Sequence, residues 1–187
     1  MSEKMNGLQL SAVPLAYFIT FTCYGTWLHG EEKLSVDRLH NTFGTNFLTF
    51  NKLRKIIEYK QMTEGEYLLE KPHRQIVLNT IKQVCSYRSW KLYAAHVRTN
   101  HVHFVISAEI KPEVVMNTIK AYASRHLNAA KLDEWRNHRW TKHGSTRYLW
   151  KSEDVVTAVQ YVVYEQGKPM AVFKDEQFIA GIESAFD

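Results

Sequence analysis

Two strand-like runs, Leu92–Arg98 and His101–Ala108, are separated by only Thr99 and Asn100. A two-residue connection between β-branched and aromatic runs makes a hairpin, so the two strands pair antiparallel. Side chains alternate faces along the second strand. His101, His103 and Val105 therefore share one face, and Val102, Phe104 and Ile106 take the other.

The remaining elements must accommodate this hairpin. Leu15–Cys23 follows Pro14 and is rich in aromatic and β-branched residues, which predicts a buried strand. His73–Trp90 has helical spacing, with Ile76, Val77, Thr80, Ile81, Val84 and Cys85 on one side. A second helix starts at Pro112 and runs to about Lys131, followed by a Trp-bearing connector as far as Trp150. Ser152 reads as the N-cap of a last major helix with Glu153 and Asp154 in its first turn. It stops near Gln166, because Gly167 suits a left-handed cap and Pro169 cannot continue a helix. Tyr24 to Lys71 is punctuated by Gly25, Gly30, Gly44 and Gly65, with one helix-like stretch at Asn51–Lys60, and reads as an insertion or lid. This order predicts a single α+β domain over residues 1–187, with a ferredoxin-like antiparallel sheet and packed helices.

No stretch approaches the ~20 consecutive apolar residues of a membrane span, and the polar start lacks the apolar run of a signal peptide. The expectation is a cytoplasmic protein with no membrane partner. Cys23 and Cys85 lack paired spacing and sit in apolar surroundings, as reduced core residues do. Positive charge is concentrated: Lys111 to Lys151 holds nine basic and three acidic residues, interleaved with Tyr122, Trp135, Trp140, Tyr148 and Trp150. Cations neutralise phosphates and exposed aromatic faces stack on unpaired bases, so Lys120, Arg125, Arg136, Arg139, Lys142, Arg147 and Trp140 are candidate DNA contacts. The competing reading is a solvated helical face over buried aromatics.

Two imidazoles on one side of a rigid strand suit a divalent metal, although such pairs also occur as hydrogen-bonded histidines on half-buried sheets. In the last helix Val155, Val156, Val159, Val162 and Val163 form the apolar stripe, and Tyr161 falls about 160° from its centre. Glu165, four residues on, shares the tyrosine's face unless it is only a surface carboxylate. Together these groups form a coherent set in which a metal polarises a phosphodiester and the Tyr161 phenolate attacks phosphorus. A phenol's reference pKa is about 10, so nearby positive charge or a base must favour its ionised form.

The strand with its TFTCYGTWLHG continuation, the segment NHVHFVI at Asn100–Ile106, the run GSTRYLW at Gly144–Trp150 and YVVYEQGKPM from Tyr161 resemble, in that order, the single-tyrosine HUH transposases. The REP-associated tyrosine transposases and insertion-sequence transposases are the nearest in pattern. The resemblance implies an HUH endonuclease-type fold, metal binding by His101 and His103, and a Tyr161 nucleophile that becomes linked to a DNA 5′-phosphate. It also implies Mg²⁺ or Mn²⁺ as cofactor, and single-stranded DNA next to a hairpin as substrate. In such proteins the residue four after the tyrosine is usually an amide that completes the metal site; here Glu165 holds that position with Gln166 beside it. The family's frequent Asn-Pro after the tyrosine motif is replaced by Glu165-Gln166-Gly167, with Pro169 later.

Two other functions stay open on the residues alone. A domesticated hairpin-binding protein would keep the basic block without cleaving. A histidine-motif nucleotide hydrolase would need a third alternating histidine, where this chain has Val105. The sequence is compatible with a monomer or a homodimer.

Overall fold

The computed structural model describes residues 13–26, 62–133 and 135–184. Strand β1 (Ala16–Thr22) is followed by helix α1 (Lys71–Arg88), strands β2 (Lys91–Val97) and β3 (His101–Ser107), and helix α2 (Pro112–Ala130). Then come β4 (Ser145–Leu149), α3 (Ser152–Tyr164), β5 (Ala171–Lys174) and α4 (Glu176–Glu183). The strands form one antiparallel sheet in the order β4-β1-β3-β2-β5. The α+β class and ferredoxin-like sheet read from the sequence are what the structure has, with β5 added beyond β2.

Each face of the sheet is covered for a reason visible in the strands. Ile19 and Phe21 of β1 and Val102, Phe104 and Ile106 of β3 are fully buried in a cluster with the inner sides of α1 and α2. The opposite face carries Ala16, Ala94 and Val105, which pack under Val155, Val159, Val162 and Val163 of α3 and Ile179 of α4. Burying each branched side chain contributes about 1.5–3 kcal/mol, so the sheet is held from both sides. Cys23 and Cys85 are free and buried, and burial pushes both thiols up to about 12.

Several boundaries differ from those the sequence predicts. Lys151, not Ser152, occupies the cap position of α3, and no side chain caps it. The helix also closes at Tyr164, short of Gln166. α1 ends at Arg88 because Ser89 turns left-handed at φ 56°. β4 lies inside the segment read as a connector, and β5 and α4 follow where no element was expected. Of the expected insertion, residues 27–61, including the helix-like Asn51–Lys60, lie outside the described residues. Among the described residues no helix is long and apolar enough to cross a membrane.

One glycine sets how closely the connector approaches the sheet. A Cβ on Gly144 would lie 2.5 Å from the Thr20 carbonyl oxygen and 3.1 Å from the Phe21 Cβ, so only a bare backbone fits beside β1. Gly144→Ala is expected to cost about 1–3 kcal/mol by overpacking, read as a lower urea midpoint at unchanged m-value.

Candidate active site

The register of three strands brings the polar residues of the α3 face together at mid-sheet. His103 lies opposite Thr20 of β1 and His96 of β2, and His101 lies opposite Thr22. Thr20 Oγ1 is 2.7 Å from His103 Nδ1, and Asn100 Oδ1 is 2.7 Å from His101 Nδ1. The Asn100 oxygen accepts only, so His101 carries its proton on Nδ1 and its lone pair on Nε2. The Thr20 hydroxyl can accept or donate, so its contact suits either tautomer of His103. The two rings stand edge to face with centroids 4.6 Å apart. Burial, and next the neighbouring charge of His101, pull the His103 imidazole down to about 3. It is therefore neutral across the physiological range, which is the form that ligates a metal.

Tyr161 comes to the same place from α3. Its ring centroid is 5.8 Å from that of His103 and 5.8 Å from that of Phe18, and the residue is 38% exposed. Although its position is far round the helix from the valine stripe, the small, buried Ala158 one turn earlier extends the covered side towards it. The ring leans on the sheet at its margin.

The end of α3 decides which side chain reaches His103. Helical order ends at the Glu165 cap, which still follows the turn from Tyr161, and Gln166 lies beyond it. Glu165 is exposed at the cap position, its N–H donating to the Tyr161 carbonyl. Gln166 folds back instead: its Nε2 donates to the Tyr161 carbonyl at 3.3 Å, and its side-chain amide comes near enough to His103 to favour the protonated ring. Among the described residues no three His, Cys, Asp or Glu side chains gather as a metal cage. The donor set present is two imidazoles and one amide oxygen, which fits a hard divalent ion that keeps water or phosphate oxygens in its other positions.

The candidate DNA contacts divide into two groups. Lys120 is buried, its Nζ donating to the Thr141 and His143 carbonyls, and burial pulls the ammonium down to about 8. Arg139 is 4% exposed and bonds Asn128 and Asp133, the latter at 3.0 Å. Trp140 edges Phe21 in the core and its indole N–H donates to the Lys120 carbonyl and Ser124. All three hold the connector to the α1/α2 layer; Lys120 and Arg139 are buried there and not offered to a DNA strand, a correction to the sequence reading, while Trp140 is partly buried. Arg136 is tied to Glu64 and to the Gly65 and Glu66 carbonyls. Arg125 stands over Tyr122, while Lys142 and Arg147 are exposed. Arg147 pairs with Phe18 across β4 and β1, which puts it on the sheet face of His103 and Tyr161. A cleft of about 520 Å³ lined by Tyr67, His73, Asp133 and Trp135 lies on the other layer, away from the histidines.

Sequence reasoning did not single out Thr20 or His96. Thr20 is one of several threonines in a β-branched strand, and only its register with His103 marks it. His96 is a lone histidine in an apolar run, a pattern that carries no functional signal by itself.

Residues 61–164 match the family model of the IS200-like transposases, and the chain belongs to that family. Among solved structures it is similar to that of a REP-associated tyrosine transposase bound to a REP hairpin, at 12% identity and a TM-score of 0.46, over 88% of this chain and 72% of that one. No curated protein matches the chain.

The internal role of Arg139 has a measurable consequence. Arg139→Ala takes the guanidinium from the part-buried Asp133 carboxylate, which keeps the Tyr67 hydroxyl and His73 beside it, and should lower the unfolding free energy by about 3 kcal/mol. Urea denaturation followed by circular dichroism reads this; an unchanged midpoint would return Arg139 to the surface contacts.

Proposed function

We propose that this transposase nicks and rejoins single-stranded DNA through a covalent 5′-phosphotyrosine at Tyr161, in the cytoplasm and on DNA associated with a hairpin. The observation that carries the reading is the convergence on His103 of the Tyr161 ring, the Gln166 amide and the His101 imidazole within one chain. Residues 1–187 then act as one domain whose site is complete in a single copy, whether the protein is a monomer or a homodimer.

In the first step the Tyr161 oxygen bonds to phosphorus, the bond from phosphorus to the 3′ oxygen breaks, and the strand leaves with a 3′-hydroxyl. The phenol proton passes to solvent or to the departing oxygen. A 3′-hydroxyl of the same or another strand reverses these bond changes, so strands are rejoined without an external energy source. His101, His103 and Gln166 would hold Mg²⁺ or Mn²⁺, which when bound withdraws charge from the non-bridging phosphate oxygens. Asn100 keeps His101 in the tautomer that presents Nε2, and the Thr20 hydroxyl can accept from the same tautomer at His103. Arg147, on the same face, adds positive charge that favours the phosphodiester. Lys142 and Arg125 are the other exposed cations assigned to phosphates.

Val105 packs under α3, which leaves no third imidazole for a nucleotide hydrolase. A hairpin binder without cleavage is the reading to be tested against. Incubation with a pool of labelled hairpin oligonucleotides and Mn²⁺, followed by a denaturing gel, should show a covalent adduct that Tyr161→Phe abolishes. Binding without any adduct would establish the binder instead.

The third ligand can be decided separately. Gln166→Ala should weaken Mn²⁺ binding by about tenfold or more, measured calorimetrically, and Glu165→Ala should change it by less than about twofold. The reverse order would assign the carboxylate. For Arg147→Ala, the slope of log affinity for single-stranded DNA against log salt should fall by about 0.7.

A further inference from the structure

We propose that His96 is the positioning residue for this site, a two-ended clamp that sets Tyr161 and Gln166 against His103; the inference rests on the phosphotyrosine reading above. His96 is fully buried and lies opposite His103 in the β2–β3 register, on the face covered by α3. Its Nδ1 is 3.1 Å from the Val162 carbonyl, and its Nε2 is 3.2 Å from the Met170 nitrogen. A carbonyl only accepts and a backbone N–H only donates. The ring is therefore the neutral tautomer with its proton on Nδ1, and both nitrogens are occupied.

These two backbone groups bracket the functional segment. Val162 directly follows Tyr161, and its carbonyl is one of the last four of α3, which have no partner within the helix. Met170 directly precedes β5, which pairs with β2 from Ala94 to Val97. Between them lie Glu165, Gln166 and the left-handed Gly167 at φ 69°. One imidazole thus fixes the helix end that carries Tyr161 and the return of the chain that carries Gln166. An aliphatic side chain would fill the same volume but hold neither group. Catalysis by groups placed to a fraction of an ångström is sensitive to such a loss, since a 1 Å misplacement costs about 10²-fold in rate.

The two nitrogens can be tested apart. An asparagine at 96 offers an amide N–H near the position of Nδ1 and keeps the Val162 bond. A glutamine offers its polar atom near Nε2 and keeps the Met170 bond. Using the full chain, Mn²⁺ and one hairpin oligonucleotide to which the wild type attaches, His96→Leu should slow single-turnover adduct formation by about tenfold or more. Its DNA dissociation constant should stay within about threefold. With Mn²⁺ saturating, His96→Asn should recover most of the rate because it keeps the Val162 bond at the Tyr161 end, and His96→Gln should not.

A cooperatively folded His96→Leu that reacts at the wild-type rate overturns the proposal, and so do equal rates for the Asn and Gln variants if the leucine variant does not fold. If the wild type forms no adduct with any hairpin, the phosphotyrosine reading fails first. Calorimetric Mn²⁺ binding then decides the clamp: weaker binding in His96→Asn, which loses the Met170 bond behind Gln166, than in the wild type supports it, while equal binding, or none to the wild type, removes it.

Discussion

The strict alternation of β3 is the constraint on which the rest depends. Val102, Phe104 and Ile106 have no exposed surface and lock one face of the central strand against α1 and α2. A slip of one residue in register would bury both imidazoles in that apolar layer and force the three large side chains onto the face packed under α3. The cost of such a slip is many times a single hydrogen bond, so the apolar face, and not the histidines, fixes where the histidines stand. Two neighbouring strands then supply the polar partners at no further expense in structure, because Thr20 and His96 are cross-strand neighbours of His103.

The second determinant is the end of α3. The helix would need one more turn to take Gln166 into its own ladder, while Glu165 already makes the last such bond, to Tyr161, with its carboxylate exposed. It closes instead at Tyr164, and three donors reach its last carbonyls: the Glu165 N–H and the Gln166 amide at Tyr161, and the His96 imidazole at Val162. The turn at Gly167 and the pairing of β5 with β2 return the chain to the sheet. The identity of the residue beside His103 is thus a consequence of how the helix is capped.

What was legible in the sequence followed from periodicity. The hairpin, the faces of β3, the helices starting near His73 and at Pro112, and the valine stripe all rest on patterns several residues long that burial enforces. β4 escaped because Ser145–Leu149 is short and mostly polar or exposed, as an edge strand is, and its pairing partner lies more than a hundred residues away. The basic block misled in another way. Counting charges treats every lysine and arginine as solvated, yet Lys120 and Arg139 satisfy carbonyls and a carboxylate inside the α1/α2 layer. Only register shows that Arg147 belongs to the face of Tyr161.

His96 and His103 show why burial alone does not identify a ligand. Both are buried on the same sheet face, and burial lowers the basicity of both. The difference is in their partners. His96 bonds a backbone carbonyl and a backbone N–H, groups whose positions the helix and sheet dictate, and it has no lone pair left for a metal. His103 bonds a threonine hydroxyl, which can accept or donate by rotating, and has near it the side-chain amide of Gln166, which lies in a turn. In the proposed reading an amide in that position would turn to an ion held by both. The two histidines therefore differ by one property that sequence cannot carry: whether the second ring nitrogen faces fixed backbone or a side chain free to become a fellow ligand.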